Sequence, residues 1–330
     1  CESVLLAGGT HFEGNEAHAN GGAVSIVKPG SDDPTNSSGS VFRSNTAETG
    51  NGGAVYIVHG TETNGEWQSS AEDVFEENAA LEGSGGAFFA MGTKTLFAEG
   101  ASCAKNRAMK GGGGCIMWEP LAEDASSSLW SSREPVHAQN FFDDNRAAFG
   151  NDKSTPPVSL RPIVDDKVNI SAIVDGGSLE PAPRVEILDL YGQVVLGAFA
   201  GDVSIEAKRL EETTATIYGG IKSLSNASEG VARFKSLGLR GAPRSGPHRL
   251  SFSAFIQVGR GASSLSMLRD VDSTSAAAAT PGPTFIEAWV DDCAKGEIIK
   301  NKKCVPCAKG ETSSGNACVP CAPGTYKNVE

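Results

Sequence analysis

The feature that most constrains this chain is a template repeated through its first half. Five segments share Phe-x-x-Asn-x-Ala, followed after a short gap by Gly-Gly-Ala and an apolar run. The first parts are FEGNEA from Phe12, FRSNTA from Phe42, FEENAA from Phe75, CAKNRA from Cys103 and FDDNRA from Phe142. The second parts are GGAVSIV from Gly21, GGAVYIV from Gly52, GGAFFAM from Gly85 and GGCIMW from Gly113, and the last copy decays to FGND at Phe149. Copies are spaced by 28 to 39 residues, and the length differences fall in polar inserts such as 28–40 and 120–135.

One such copy cannot bury its apolar face alone, so copies must stack and share a core. The run Ala-Val-Ser-Ile-Val alternates with the period of a strand. Stacking then aligns Phe12, Phe42, Phe75 and Phe142 in an inward column, where deleting a ring costs about 3–5 kcal/mol. The shared asparagines Asn15, Asn45, Asn78, Asn106 and Asn145 recur at one corner. That is what an amide ladder between coils ~4.8 Å apart requires. The paired glycines allow a tight corner with positive φ. The expected fold of residues 1–155 is a parallel β-helix.

This two-part motif resembles the repeat of polymorphic outer-membrane proteins, found in bacterial autotransporter passengers and in large surface proteins of microbial eukaryotes. The resemblance implies a right-handed parallel β-helix displayed outside the cell, and it implies no single biochemical activity. The fourth copy departs from the template. Cys103 replaces the Phe and Cys115 replaces the Ala after Gly-Gly, both at inward positions of one coil. Two readings follow, a disulfide across the coil or a pair of buried thiols acting as small hydrophobes. Cys1 lies about four coils away, beyond the ~5.5 Å Cα separation of a disulfide, so its partner is expected upstream. The chain opens Cys1-Glu2-Ser3, which reads as a mature, processed or excised sequence.

From about Pro156 the repeat vanishes. Short alternating stretches appear at 185–195, 203–207, 215–218, 231–239 and 250–258, with turn residues between them, which predicts an antiparallel β-sandwich over 156–290. EILDLYGQVV and EGVARFKSLGL resemble immunoglobulin-like domains of bacterial and protist adhesins, with Asp189, Gly192, Gly230, Ala232 and Phe234 in the matching places. The segment STSAAAATPGP at 273–283 reads as a loop before a last strand at 284–290.

Five of the eight cysteines fall in the tail, 291–330, which repeats every 14 residues: Cys293-Ala-Lys-Gly-Glu, Cys307-Ala-Lys-Gly-Glu, Cys321-Ala-Pro-Gly-Thr. Crowding of this kind points to disulfides and an oxidising compartment. A zinc tetrathiolate of Cys304, Cys307, Cys318 and Cys321 is the competing reading, although their spacing is tighter than in zinc ribbons. The tail resembles ephrin-receptor-like and tumour-necrosis-factor-receptor-like cysteine-rich repeats. That resemblance implies the pairs Cys293–Cys304 and Cys307–Cys318, and it leaves Cys321 open, with the third module continuing past Glu330.

Charge narrows the function. With 28 basic against 40 acidic residues the net charge is −12, which excludes a typical nucleic-acid surface and docking on anionic lipid. No apolar run reaches the ~20 residues of a membrane span. Three sequons, at Asn36, Asn169 and Asn226, lie in polar, turn-like stretches and join the cysteines in indicating an extracellular glycoprotein. The carboxylates Asp32, Asp33, Asp143, Asp144 and Asp152, with Arg146, are the candidates for an acid–base site. Asp143 and Asp144 are adjacent and so point to opposite faces of a strand, while Asp152 falls where a polar cap is needed. The histidines (His11, His18, His59, His137, His248) form no catalytic or metal-binding spacing. Trp118 and Trp130 read as packing residues or as contacts for sugar or partner. No catalytic residue, metal or cofactor is expected. The expected role is structural or adhesive at a cell surface, for instance in a flagellar-hair filament. Its partners would be other extracellular proteins, copies of itself or a glycan. A glycan-binding or polysaccharide-degrading β-helix is the alternative.

Overall fold

The structure is a computed structural model. It describes residues 4–6, 8–28, 34–59, 65–119, 134–139, 141–163, 170–172, 177–197, 203–210, 215–258, 267–272, 285–301 and 303–324. Cys1, Asn169, Trp130, Asp32, Asp33 and the 273–283 loop lie outside these residues.

The described chain is all-β. Its first half winds into a parallel β-helix with four walls. The Phe wall stacks β2 (His11–Glu13), β6 (Val41–Arg43), β10 (Val74–Glu76), β14 (Ser102–Ala104) and β17 (Phe142–Asp143). The next wall stacks β3 (Glu16–Ala17), β7 (Thr46–Ala47), β11 (Ala79–Ala80), β15 (Arg107–Gly112) and β18 (Arg146–Phe149). The apolar runs after Gly-Gly form β4 (Val24–Lys28), β8 (Val55–His59), β12 (Phe88–Met91), β16 (Ile116–Glu119) and β19 (Lys153–Ser154). A fourth wall stacks β1 (Val4–Leu6), β5 (Thr35–Ser37), β9 (Glu66–Ser69) and β13 (Lys94–Phe97). Every pairing in these walls is parallel, and equivalent template positions face each other: Phe12, Phe42, Phe75, Cys103 and Phe142 run in one register.

The glycine pair shows why the template ends where it does. In the second coil Gly52 has φ 68°, a left-handed conformation that Gly adopts at no steric cost. Gly53 is needed for a different reason, since a Cβ there would lie 2.0 Å from the carbonyl oxygen of Gly86 in the next coil. The same approach links Gly114 to Asn151 at 2.1 Å. In the last coil the pair becomes Gly150-Asn151, which keeps the left-handed corner, φ 62°, but not the bare second position. Among the described residues no further coil crosses Asn151, so a side chain fits there. The decay of the motif to FGND is thus the physical end of the stack.

The second half forms a nine-stranded sheet. Its order is β20 (Ser159–Ile163), β22 (Arg184–Leu188), β26 (Val231–Arg233), β25 (Lys222–Asn226), β23 (Ser204–Arg209), β28 (His248–Val258), β30 (Ile286–Val290) and β21 (Ile170–Ala172), with β29 (Met267–Asp272) also on β28. Pairing is antiparallel except between β21 and β30. Val185 and Ile187 share one buried cluster with Ile205, Phe252 and Ile286 from the far end of the order, so the sheet folds over on itself as a sandwich. The strand β25 makes the fold-over, pairing β23 through Lys222–Leu224 and β26 through Ser225 and Asn226. A separate hairpin pairs β24 (Thr216–Gly219) with β27 (Leu237–Arg240). The stretch at 231–239 is therefore two strands of different sheets, not one.

The boundary near residue 155 is not a gap in the core. Tyr56, Val58, Phe89, Met91 and Met117, on the outer side of the β-helix, belong to the same apolar cluster as the sandwich interior. In the tail, β31 (Glu297–Lys300) pairs β32 (Lys303–Pro306), and β33 (Glu311–Ser314) pairs β34 (Ala317–Pro320). Among the described residues no helix is long and apolar enough to cross a membrane.

Candidate functional site: the spine of the stack and its two ends

The Phe and Asn positions form the spine. Phe12 stacks on Phe42 and Phe42 on Phe75, each pair with ring centroids 4.8 Å apart and planes within 5°. The column stops at Cys103, which is bonded to Cys115 across the coil with Cα atoms 6.2 Å apart. Phe142 accordingly meets no ring in the column. It sits edge-on to His137 and Phe141, at 4.6 and 4.9 Å, which corrects the expectation that all four phenylalanines stack.

The amide ladder is continuous. Asn15, Asn45, Asn78 and Asn106 each donate from Nδ2 to Oδ1 of the next asparagine, at 2.8 to 3.0 Å, ending on Asn145. The backbone N–H of each donates to the same oxygen. Each later Nδ2 also donates back to a main-chain carbonyl one coil earlier: Asn45 to Phe12, Asn78 to Phe42, Asn106 to Phe75 and Asn145 to Cys103, all at 2.9 Å. The internal amides thus use both donors and accept twice, the most that buried positions can gain.

Two parts of this spine are absent from the sequence reading. A second ladder runs with opposite polarity at the residue before Gly-Gly: Asn51 N–H donates to Asn20 Oδ1, Ser84 N–H to Asn51 Oδ1, and Gly112 N–H to Ser84 Oγ, at 2.8 to 3.1 Å. The residue before each ladder asparagine (Gly14, Ser44, Glu77, Lys105, Asp144) has positive φ, between 44° and 64°. That corner corrects the view of Asp143 and Asp144 as neighbours on one strand. Asp144 is in the turn and holds Arg146 at 3.2 Å, while Asp143 ends β17.

The two ends of the stack differ. At the C-terminal end Asp152 Oδ1 accepts from Asn145 Nδ2 at 3.2 Å and closes the ladder. Trp118, fully buried, donates its indole N–H to the Tyr191 hydroxyl at 2.9 Å, and burial pushes the Tyr191 phenol above its ordinary pKa. Lys153 lies 4.5 Å over the Tyr191 ring and pairs with Glu134. Beside them Asp189 is buried and accepts from the main-chain N–H groups of Tyr191 and Gln193, at 2.9 Å each, and from the Gln193 side chain at 2.9 Å. Burial outweighs these bonds and raises the Asp189 carboxyl to about 6. A cavity of about 530 Å³ lies here, lined by His137, Phe142, Asn151, Asp152, Lys153, Tyr191 and Gln193. Its polar groups serve the junction itself: Asp152 caps the ladder, Asn151 accepts from Ala147 N–H, and Gln193 bonds Lys153 O and Asp189.

At the N-terminal end the first coil has no neighbour on its outer side among the described residues. Phe12 and Val24 are half-buried, whereas their counterparts Phe42 and Val55 have no exposed surface. Asn15 is exposed. Leu5 and Val27, at 68% and 62% exposure, are among the most exposed large apolar residues described.

In the tail, Cys293 pairs with Cys304 and Cys307 with Cys318, and Cys321 is a half-buried thiol. The sulfurs required for a zinc tetrathiolate are therefore divided between two disulfides and one thiol. Asn36 lies within β5 rather than in a turn, half-buried on the outer side between Leu5 and Gln68. Asn226 is exposed at the end of β25, and its Oδ1 accepts from Ser228 N–H and Oγ. His11 and His18 are exposed, and His18 pairs with Glu48 at 2.8 Å.

Comparison with known proteins finds no matching family model, no matching curated protein and no matching solved structure. The fold itself defines the class: a parallel β-helix continued by a β-sandwich and a disulfide-bonded tail.

Proposed function

We propose that this chain is a non-catalytic extracellular structural or adhesive glycoprotein, a rigid building block of a surface layer or filament, of the polymorphic outer-membrane-protein repeat type. The sandwich is then an adhesin-type immunoglobulin-like domain, and the tail an array of receptor-type cysteine-rich repeats. The observation that carries this reading is how the repeated polar residues are used. The ladder asparagines are spent on bonds between coils, and Asp152 on closing them, so the template builds length and stiffness. Three disulfides support an oxidising compartment. Copies of itself or other extracellular proteins are the partners.

The test is expression of the full chain through a eukaryotic secretory pathway. Secreted, monodisperse protein with the three disulfides and glycan on Asn226 supports the reading. Folding only in a reducing cytosol, or turnover of any member of a polysaccharide panel, overturns it.

One feature favours a second reading, glycan binding. The cavity at the closed end has Phe142, His137 and Tyr191 on its walls, rings on which a sugar stacks. Binding on a glycan array that Phe142→Ala abolishes is the result this reading requires.

A further inference from the structure

The geometry points to a recess on the wall of the fourth and last coils as a binding site for an oxyanion, the carboxylate or sulfate group of an acidic glycan. This names the chemistry of an adhesive contact and rests on the extracellular reading above.

The recess arises from a difference in corner length. In the fourth coil the left-handed Gly113 stands five positions after Ala108 of β15. In the last coil Gly150 stands only three positions after Ala147 of β18. The pairing of β15 with β18 accordingly slips between Ala108 and Gly112. Irregularities of this kind bend a strand and re-aim its side chains. The shorter corner leaves a recess of about 200 Å³, lined by Arg107, Ala108, Met109, Arg146 and Ala147.

Charge gives the recess its chemistry. Arg107 and Arg146 are register partners on adjacent parallel strands, and both are exposed, so two guanidinium groups leave the same face from backbones ~4.8 Å apart. Like charges placed side by side repel. Elsewhere among the described coil residues each surface Lys or Arg has a carboxylate within 3.9 Å, as Lys105 has Glu76 and Lys110 has Glu82. Among the described residues Arg107 has none, and its side chain makes no hydrogen bond. Arg146 is held by Asp144 at 3.2 Å, but both side chains are more than half exposed. Such a pair contributes at most about 1 kcal/mol and leaves other guanidinium N–H groups to donate.

An oxyanion seated between the two guanidinium groups turns their repulsion into attraction, and the planar N–H forks match a carboxylate or sulfate. The recess is smaller than the ~300 Å³ at which pockets begin to enclose a whole ligand, so it seats one charged unit of a polymer. A uronic or sulfated sugar carries its oxyanion on a ring with an apolar C–H face, which covers the 60%-exposed Met109. A Glu or Asp side chain reaches the arginines on one or two methylenes and leaves Met109 bare. The net charge of −12 does not prevent the contact, because physiological salt screens exposed charges beyond ~8 Å and the arginine pair dominates locally.

The test is isothermal titration calorimetry of the full oxidised chain against alginate, dextran sulfate, neutral dextran and polyglutamate. The proteins are wild type, Arg107→Gln, Met109→Glu and Lys110→Gln. Wild type is expected to bind alginate, dextran sulfate or both, and not dextran. Alginate binding assigns the carboxylate and dextran sulfate binding the sulfate. Arg107→Gln weakens binding about tenfold or more, and Met109→Glu, which brings a carboxylate to the recess, does the same. Lys110→Gln, outside the lining and already paired, stays within about twofold of wild type. Circular dichroism checks the fold of each variant, and Met109→Glu carries the test if Arg107→Gln does not fold. Absence of binding to both acidic glycans at about 1 mM overturns the proposal. So does binding that survives Arg107→Gln and Met109→Glu, equal binding of neutral dextran, or a preference for polyglutamate, which makes the site one for acidic peptide. Secretion and glycosylation are read separately, so failure here is distinct from failure of the extracellular reading.

Discussion

Replacing Asn78 by Ala tests the ladder where it is most enclosed. Asn78 has no exposed surface. Its Oδ1 accepts from Asn45 N–H and Asn45 Nδ2, and its Nδ2 donates to Phe42 O and Asn106 Oδ1, each at 2.9 Å. Truncation takes the partner from the Asn45 N–H, from one Asn45 amide hydrogen and from the bond to Phe42 O. Asn106 Oδ1 keeps the N–H of residue 78. Each buried group left unpaired costs about 1–3 kcal/mol, and these neighbours share one site, so the sum falls short of additive, at about 3–6 kcal/mol. Asn15→Ala is the internal control, since Asn15 is exposed and its side chain makes one ladder bond. It should cost less than about 1 kcal/mol. Urea unfolding followed by far-ultraviolet circular dichroism reads both. In a thermal melt, at about 2–4 °C per kcal/mol, the melting temperature should drop by about 6–24 °C for Asn78→Ala and by a few degrees at most for Asn15→Ala. Equal effects at the two positions would refute the reasoning, because they would mean that burial within the stack does not set the value of the amide.

Three further outcomes follow from the same geometry. Glu77 is exposed with φ 58°, so Glu77→Gly should raise stability by about 0.5–1 kcal/mol in the same urea assay, the reverse of the usual effect of adding glycine. Replacing Cys103 and Cys115 together by Ala opens a crosslink of sequence separation 12 and should cost about 2–4 kcal/mol, seen as a lower urea midpoint in oxidising buffer and no difference from wild type once both are reduced. Asp189 has a folded pKa of about 6, above its unfolded value. The folded state therefore binds the extra proton, and this group's contribution to stability is greatest below about pH 4 and falls as pH rises to about 6, by up to ~3 kcal/mol. Asp189→Asn should flatten that part of the stability–pH curve, and an unchanged slope would show that another group titrates there.

The spine was legible because its chemistry is written at fixed template positions. Phe12, Phe42 and Phe75 announce the column, and the five ladder asparagines announce the amides. The exception was Phe142. Its partner across the register is Cys103, and a disulfide takes the space of a ring. The second ladder was illegible because its residue changes from Asn20 and Asn51 to Ser84 and then to Gly112, where the bond is carried by the main chain of the last member. The left-handed corner hides for a related reason. Backbone geometry imposes it on Gly14, Ser44, Glu77, Lys105 and Asp144 alike, and no side-chain type marks it. In the sandwich, strands with apolar inward faces such as β22 and β23 stand out. The fold-over strand β25 does not, since Lys-Ser-Leu-Ser-Asn buries only Ser225. The raised Asp189 carboxyl depends on burial at the junction, which local sequence does not encode. The greater exposure of Phe12 than of Phe42 likewise has no mark in the motif, which is the same at both positions.

The most direct test of the coil stack is a crystal structure of the oxidised chain at a resolution that places side chains. The account predicts Phe42 and Phe75 rings parallel with centroids 4.8 Å apart, and Asn45 Nδ2 bonded to Asn78 Oδ1 at 2.9 Å. Rings on different faces of the molecule, or asparagines from successive copies too far apart to bond, would contradict it.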